Sequence, residues 1–108
     1  METKIIKEME KSVVKNFLDI VIMTKMRELG CLSGYDAIEF ILKKFGFIIS
    51  SGTVYALLYS LERRGFIKCE SNQEKRIYAL ADKGKEYIDA ILQAKEEVLR
   101  FMRTLFSG

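Results

Sequence analysis

The chain has 108 residues, 49% of them hydrophobic and 31% charged, with a formal net charge of +3 and a pI of about 8.9. That length holds one domain with a modest core, and the mild basicity is compatible with a nucleic-acid partner without demanding one. Histidine is absent, so no Ser–His or Cys–His nucleophilic pair can form, and the two thiols, Cys31 and Cys69, make a poor metal site on their own.

No glycine-rich phosphate loop opens a helix, and the acidic residues are scattered along helix surfaces. We therefore expect no enzyme, no catalytic residue, no metal and no cofactor. The segment METKIIKEMEK at the N-terminus is charged throughout, unlike a secretory signal. The most apolar stretch, Phe17 to Met23, is broken by Asp19 and is too short to cross a bilayer. A cytoplasmic protein with no membrane partner is expected, its cysteines reduced and packed; a disulfide is the minority reading.

In chain order, apolar residues from Ile5 to Leu29 (Ile6, Met9, Val13, Phe17, Ile20, Val21, Met26, Leu29) recur at spacings of three and four with lysines between them. This predicts one long amphipathic helix, or two joined near Ser12, ending at Gly30. A second helix runs from Tyr35 to about Phe45, with Ile38, Ile41, Leu42 and Phe45 inward and Lys43 and Lys44 at its negative end, within reach of a phosphate. Gly46 to Ile49 link it to a third helix over about 51–64. Ser50 or Ser51 caps that helix, Val54, Leu57, Leu58 and Leu61 form its buried stripe, and Gly65 closes it. Its opposite face carries Gly52, Ala56, Tyr59, Ser60 and Arg63, flanked by Thr53 and Tyr55. Small residues permit close approach to a major groove, and hydroxyls and arginine bond phosphates and base edges. On an isolated helix the same face would read as merely solvated.

The period then changes to two. Ile67 and Cys69 share one face of a strand, and Arg76, Tyr78 and Leu80 one face of the next, about a polar tip, Ser71-Asn72-Gln73-Glu74-Lys75. Lys75 and Arg76 near the tip are candidate contacts to backbone phosphates, with Glu70 and Glu74 opposing them. The expected fold class is mainly α with a small β-hairpin: a winged helix-turn-helix with long N- and C-terminal helices. It forms one domain over 1–108, made of an N-terminal helix (1–30), a core and wing (33–81) and a C-terminal helix (82–108). The candidate DNA-binding residues are Ser50, Ser51, Gly52, Thr53, Tyr55, Ala56, Tyr59, Ser60, Arg63, Lys75 and Arg76.

The last helix is expected from about Asp82 to Phe106. Ile88, Ile91, Val98, Met102 and Leu105 follow an a/d pattern broken by Lys95, and Leu92, Leu99 and Phe106 widen the stripe. A helix this long cannot bury its far end on so small a core, so these eight apolar residues are the candidate dimer interface, against the extra turns of the first helix.

Four runs carry a resemblance: Gly34-Tyr35-Asp36-Ala37-Ile38; Ser51-Gly52-Thr53-Val54-Tyr55-Ala56-Leu57-Leu58; Leu61-Glu62-Arg63-Arg64-Gly65-Phe66-Ile67; and Arg76-Ile77-Tyr78-Ala79-Leu80 leading to Asp82-Lys83-Gly84-Lys85. In this order and spacing they resemble the PadR family of transcriptional regulators, over roughly Leu29 to Ile88. The sequence departs from the family pattern at Ser33 (often His), Ser51 (often Pro) and Ala81 (usually a capping Thr, a job Asp82 is expected to take). The resemblance implies a homodimeric repressor that joins through its terminal helices. A two-fold dimer would bind a pseudo-palindromic double-stranded site with recognition helices about 34–36 Å apart.

The resemblance also implies a small apolar effector between core and dimer helix. Phe17, Tyr87, Phe101 and the methionines could line its pocket, or be ordinary core. The rival functions are a winged helix used for protein–protein contact through Tyr35, Tyr55 and Tyr59, and a non-specific DNA-binding protein.

Overall fold

The computed structural model describes residues 1–70 and 75–108. The wing-tip positions 71–74, Glu74 among them, lie outside the described residues. Helices α1 (Glu2–Asn16) and α2 (Leu18–Leu29) are followed by strand β1 (Leu32–Ser33) and helices α3 (Gly34–Phe45) and α4 (Ser51–Arg63). Strands β2 (Ile67–Cys69) and β3 (Ile77–Leu80) come next, then helices α5 (Asp82–Gln93) and α6 (Lys95–Arg103) and a closing 3-10 turn, Thr104–Phe106.

The first helical stretch bends at Phe17 (φ −111°, ψ 25°), five residues beyond the joint expected near Ser12. Backbone bonds run through the bend, from Phe17 N–H to the Val13 carbonyl and from Val21 N–H to the Phe17 carbonyl, so it is a kink and not a loop. It falls where burial begins. Val14 is the buried residue of α1, whereas α2 buries Leu18, Ile22, Met23 and Met26. The last helix is likewise broken at Ala94 (φ −93°, ψ 14°), between α5 and α6, where a single helix was expected.

Strand β1 is an addition to the expected hairpin. Two residues are too few to show a period, so the sequence pattern could not reveal it. It pairs antiparallel with β3 (Leu32 with Tyr78, Ser33 with Ile77), and β3 pairs on its other edge with β2 (Ile67 with Leu80, Cys69 with Tyr78). The sheet order β1-β3-β2 makes β3 central. Tyr78, Ala79 and Leu80 are all buried, where an alternating pattern was expected.

Ser33 also starts α3. Its hydroxyl accepts from the Asp36 N–H (3.0 Å), and the Asp36 carboxylate accepts from the Ser33 N–H (3.2 Å), a reciprocal capping box. The Ser33 side chain chiefly holds the Asp36 carboxyl below its ordinary pKa of 3.8, against some desolvation and aided by the Ser33 backbone and the Lys75 charge.

One core joins these pieces: Ile22, Met23 and Met26 of α2, Ala37 and Ile41 of α3, Val54, Leu58 and Leu61 of α4, Ile67 and Leu80 of the sheet and Ile88 of α5. Two glycines permit its close approaches. A Cβ at Gly34 would overlap the Tyr55 ring, and one at Gly84 would overlap the Phe66 carbonyl oxygen. The docking of α5 beside Phe66 therefore requires glycine at position 84, whereas a side chain at position 34 would displace the Tyr55 ring from its present place. Arg27 of α2 and Asp89 of α5 form an ion pair across the same face.

Candidate nucleic-acid interface

Ser50, not Ser51, is the cap of α4. Its hydroxyl accepts from the Thr53 N–H (3.2 Å) and shares a hydrogen bond with the Thr53 hydroxyl (2.8 Å). No acidic side chain stands in the first turn, so the positive end of the helix dipole is left for an anion. Along the outer face Ser51, Gly52, Thr53, Tyr55, Ala56, Tyr59 and Arg63 are all exposed, with Ser60 half-buried. The Arg63 guanidinium lies over the Tyr59 ring, 5.3 Å from the centroid, a cation–π contact between two exposed side chains. Gly65 (φ +83°) turns the chain out of α4, and Lys83 Nζ donates to the Arg64 carbonyl (3.0 Å), closing the helix from α5.

Tyr55 serves two purposes. It is 45% exposed on the outer side of α4, yet its ring rests against Gly34 at the start of α3. Tyr35 and Tyr59 are more exposed, at 65% and 61%.

The basic residues outside α4 are more engaged than their sequence positions implied. Lys43 donates to Glu39 at 2.7 Å, and Lys44 lies over the rings of Phe40 and Phe45. Lys68 and Glu70 form a 3.7 Å pair on the wing. Arg76, just before β3, is turned onto its own protein. Its Nε donates to the Tyr78 hydroxyl at 3.0 Å and its Nη2 to Glu62 Oε1 at 3.3 Å. Glu62 was not among the expected site residues, since nothing in a lone carboxylate on α4 announces a partner fourteen residues on. The Ser33/Asp36 box was legible as a Ser-x-x-acid pattern.

Asp82 is the first residue of α5 and not its cap. The cap position is Ala81, with no side-chain bond. Ile88, expected at a dimer interface, is fully buried in the core of its own chain and is unavailable to a partner. Leu92 is half-buried against that core, and Ile91 is half-buried in a groove. The remaining expected interface residues lie on α6 and beyond. Val98, Leu99, Leu105 and Phe106 are exposed, Leu99 at 48% and Phe106 at 80%, and Met102 is half-buried. The groove, of about 600 Å³, lies between the α1–α2 kink and α5–α6 and is lined by Val13, Phe17, Ile20, Tyr87, Ile91, Val98, Leu99 and Met102, with Asn16 and Asp19 as its polar members. Phe101 is exposed outside it. Cys31 is exposed and Cys69 half-buried, both as free thiols. Among the described residues no helix is long and apolar enough to cross a membrane.

A capped α3, a short turn, an exposed α4 and a β2–β3 wing braced by β1 define a winged helix-turn-helix. The model of the transcriptional regulator PadR-like family matches residues 22–90, and the chain belongs to that family. No curated protein matches it. Among solved structures, a transcriptional regulator of Thermoplasma acidophilum is similar over 90% of this chain and 97% of its own, at 22% identity and a TM-score of 0.73. A PadR-like regulator of Bacillus cereus is similar over 90% and 98%, at 23% identity and TM-score 0.70. Bacillus subtilis PadR in complex with operator DNA is 28% identical over 69% of this chain and 45% of its own, with TM-score 0.61. It has also been solved with p-coumaric acid.

Proposed function

We propose that this chain is a homodimeric, sequence-specific double-stranded DNA-binding transcriptional regulator, acting as a repressor. In this reading α4 enters the major groove and the wing lies on the flanking backbone. The observation that carries it is the outer face of α4: a first turn without an acidic side chain, exposed hydroxyl residues Ser51 and Thr53, small residues at Gly52 and Ala56, and an exposed arginine, Arg63, lying over the Tyr59 ring. Ser50 acts mainly by capping, Ser60 lies at the margin, and the exposed Lys75 on the wing is the candidate contact to a flanking phosphate. Operator DNA on the Bacillus subtilis relative supports the same reading.

The dimer rests on the exposed apolar residues of α1 and α6, which have no place to go within one chain. A two-fold pair would present two α4 helices about 34–36 Å apart to a pseudo-palindrome.

The test is a titration of labelled duplex from upstream of the protein's own gene, with an unrelated duplex as control, at low and near-physiological salt. Tight binding that prefers the upstream DNA and falls steeply with salt is expected. Equal binding to both duplexes would make the protein a non-specific DNA binder. Salt-independent capture of a protein, with no DNA binding, would favour Tyr35, Tyr55 and Tyr59 as a protein-docking surface.

A second reading concerns the groove beside the α1–α2 kink. Its apolar lining, with Asn16 and Asp19 as the polar members, suits a small aromatic effector, and p-coumaric acid bound to the Bacillus subtilis relative supports it. Added p-coumaric acid should release the DNA; an unchanged complex at saturating acid would remove this reading.

A further inference from the structure

Arg76 occupies the position where a wing cation would be expected to meet a phosphate, but its contacts run inward. The Tyr78 hydroxyl it bonds belongs to a side chain buried on the central strand. The Glu62 carboxylate it bonds stands on the last turn of α4, next to Arg63. One side chain thus spans from the head of β3 to the recognition helix. Strand β2 also packs on α4, and beyond the last ladder pair, Cys69 with Tyr78, Glu70 N–H reaches the Ile77 carbonyl. The charge of the adjacent Lys75 acts on Asp36 at the start of α3, so both basic residues at the tip side of β3 bear on the helix-turn-helix.

Two roles for Arg76 have opposite consequences for Glu62. If Arg76 must leave Glu62 to reach a phosphate, Glu62 competes with DNA. If Arg76 stays, Glu62 is part of what makes the DNA surface one rigid piece. The geometry favours the second. A guanidinium holding a carboxylate and a buried hydroxyl at once uses the fork that a lysine lacks, and displacing it would leave the Tyr78 hydroxyl without that partner.

We propose that Arg76 is a positioning residue: it locks the wing to α4 through Glu62 and Tyr78, so that wing and recognition helix meet DNA at a fixed angle, and it neutralises no phosphate itself. This rests on the DNA-binding reading above.

The test measures the dissociation constant for the upstream duplex, and its salt dependence, for the wild type, E62Q, R76K, R76Q, Y78F and the E62Q/R76Q double variant. Melting curves accompany each variant. We expect E62Q to bind about tenfold more weakly, with R76K as impaired as R76Q, and the double variant no worse than R76Q alone, because the three groups act as a unit. The slope of log K against log salt should match the wild type throughout. Y78F keeps its ring in the core and loses only the hydroxyl, so it should fold and still bind more weakly.

Tighter binding by E62Q would overturn the proposal. So would a slope flattened by about 0.9 in R76Q together with normal binding by R76K, the signature of one lost phosphate contact. Should R76Q fail to fold, the sign of the E62Q and Y78F effects still decides. A wild type that binds no duplex would instead defeat the DNA reading, and this proposal with it, whereas wild-type binding with the wrong variant signs defeats this proposal alone.

Discussion

The winged core and the terminal helices are both rich in apolar residues, but they use them differently. In the core, Ile22, Ile41, Val54, Leu58 and Ile88 are wholly or almost wholly buried by four helices and a sheet. On α1, α6 and the closing 3-10 turn, Ile5, Ile6, Met9, Leu99, Leu105 and Phe106 are exposed, and α6 buries no residue at all. The contrast separates a surface that the chain finishes by itself from one that it leaves open. Helix α4 sits on the finished part, and in the proposed dimer the unfinished part is where a second copy would attach.

The largest effect should come from opening the finished part. Leu58→Ala removes a buried side chain from the inner face of α4 and should cost about 2–5 kcal/mol, read in urea melts. A loss under about 1 kcal/mol would mean that α4 is less tightly held than its burial implies. Leu99→Asp tests the other half: light scattering should register half the wild-type mass, with the helical circular dichroism of the core retained. A dimer of unchanged mass would place the interface elsewhere.

Gly84→Ala drives a methyl into the Phe66 carbonyl and should destabilise by roughly 1–3 kcal/mol without changing the subunit mass. The smallest effect belongs to the α3 cap. Ser33→Ala should cost about 0.5–2 kcal/mol. Asp36 has a folded pKa below its ordinary 3.8, so its contribution is present above that pH and is lost as the pH falls through the folded value. Asp36→Ala should therefore lose less stability than the wild type on acidification below pH 3.8, as thermal melts at a series of pH values would reveal.

Much of this was legible in the sequence because the informative residues obey short-range rules. The stripe of Val54, Leu58 and Leu61, a serine cap at Ser50 or Ser51 and the positive φ of Gly65 follow from helical period and backbone sterics, and the structure chooses Ser50. The family motifs were recognisable as strings, but their physical meaning needed the fold. The glycine of Gly34-Tyr35 and the tyrosine of Gly52-Thr53-Val54-Tyr55 touch each other, as do Gly84 and the Phe66 carbonyl, so four runs amount to two packing contacts.

What stayed hidden was non-local. The two-residue β1 has no period of its own, and it makes β3 the central strand. Ile88 fits an a/d stripe but is claimed by the core. The Arg76–Glu62 bond joins elements whose separation no pattern encodes. The kink at Phe17 contains neither glycine nor proline, so no breaker marked it.

The central claim is that two finished cores, joined through unfinished terminal helices, read one DNA site together. Sedimentation of the protein with a duplex carrying its upstream site measures this most directly. The account predicts a complex of two chains per duplex, with protected half-sites about 10–10.5 base pairs apart when the same complex is footprinted. A complex of one chain per duplex with undiminished affinity would contradict it.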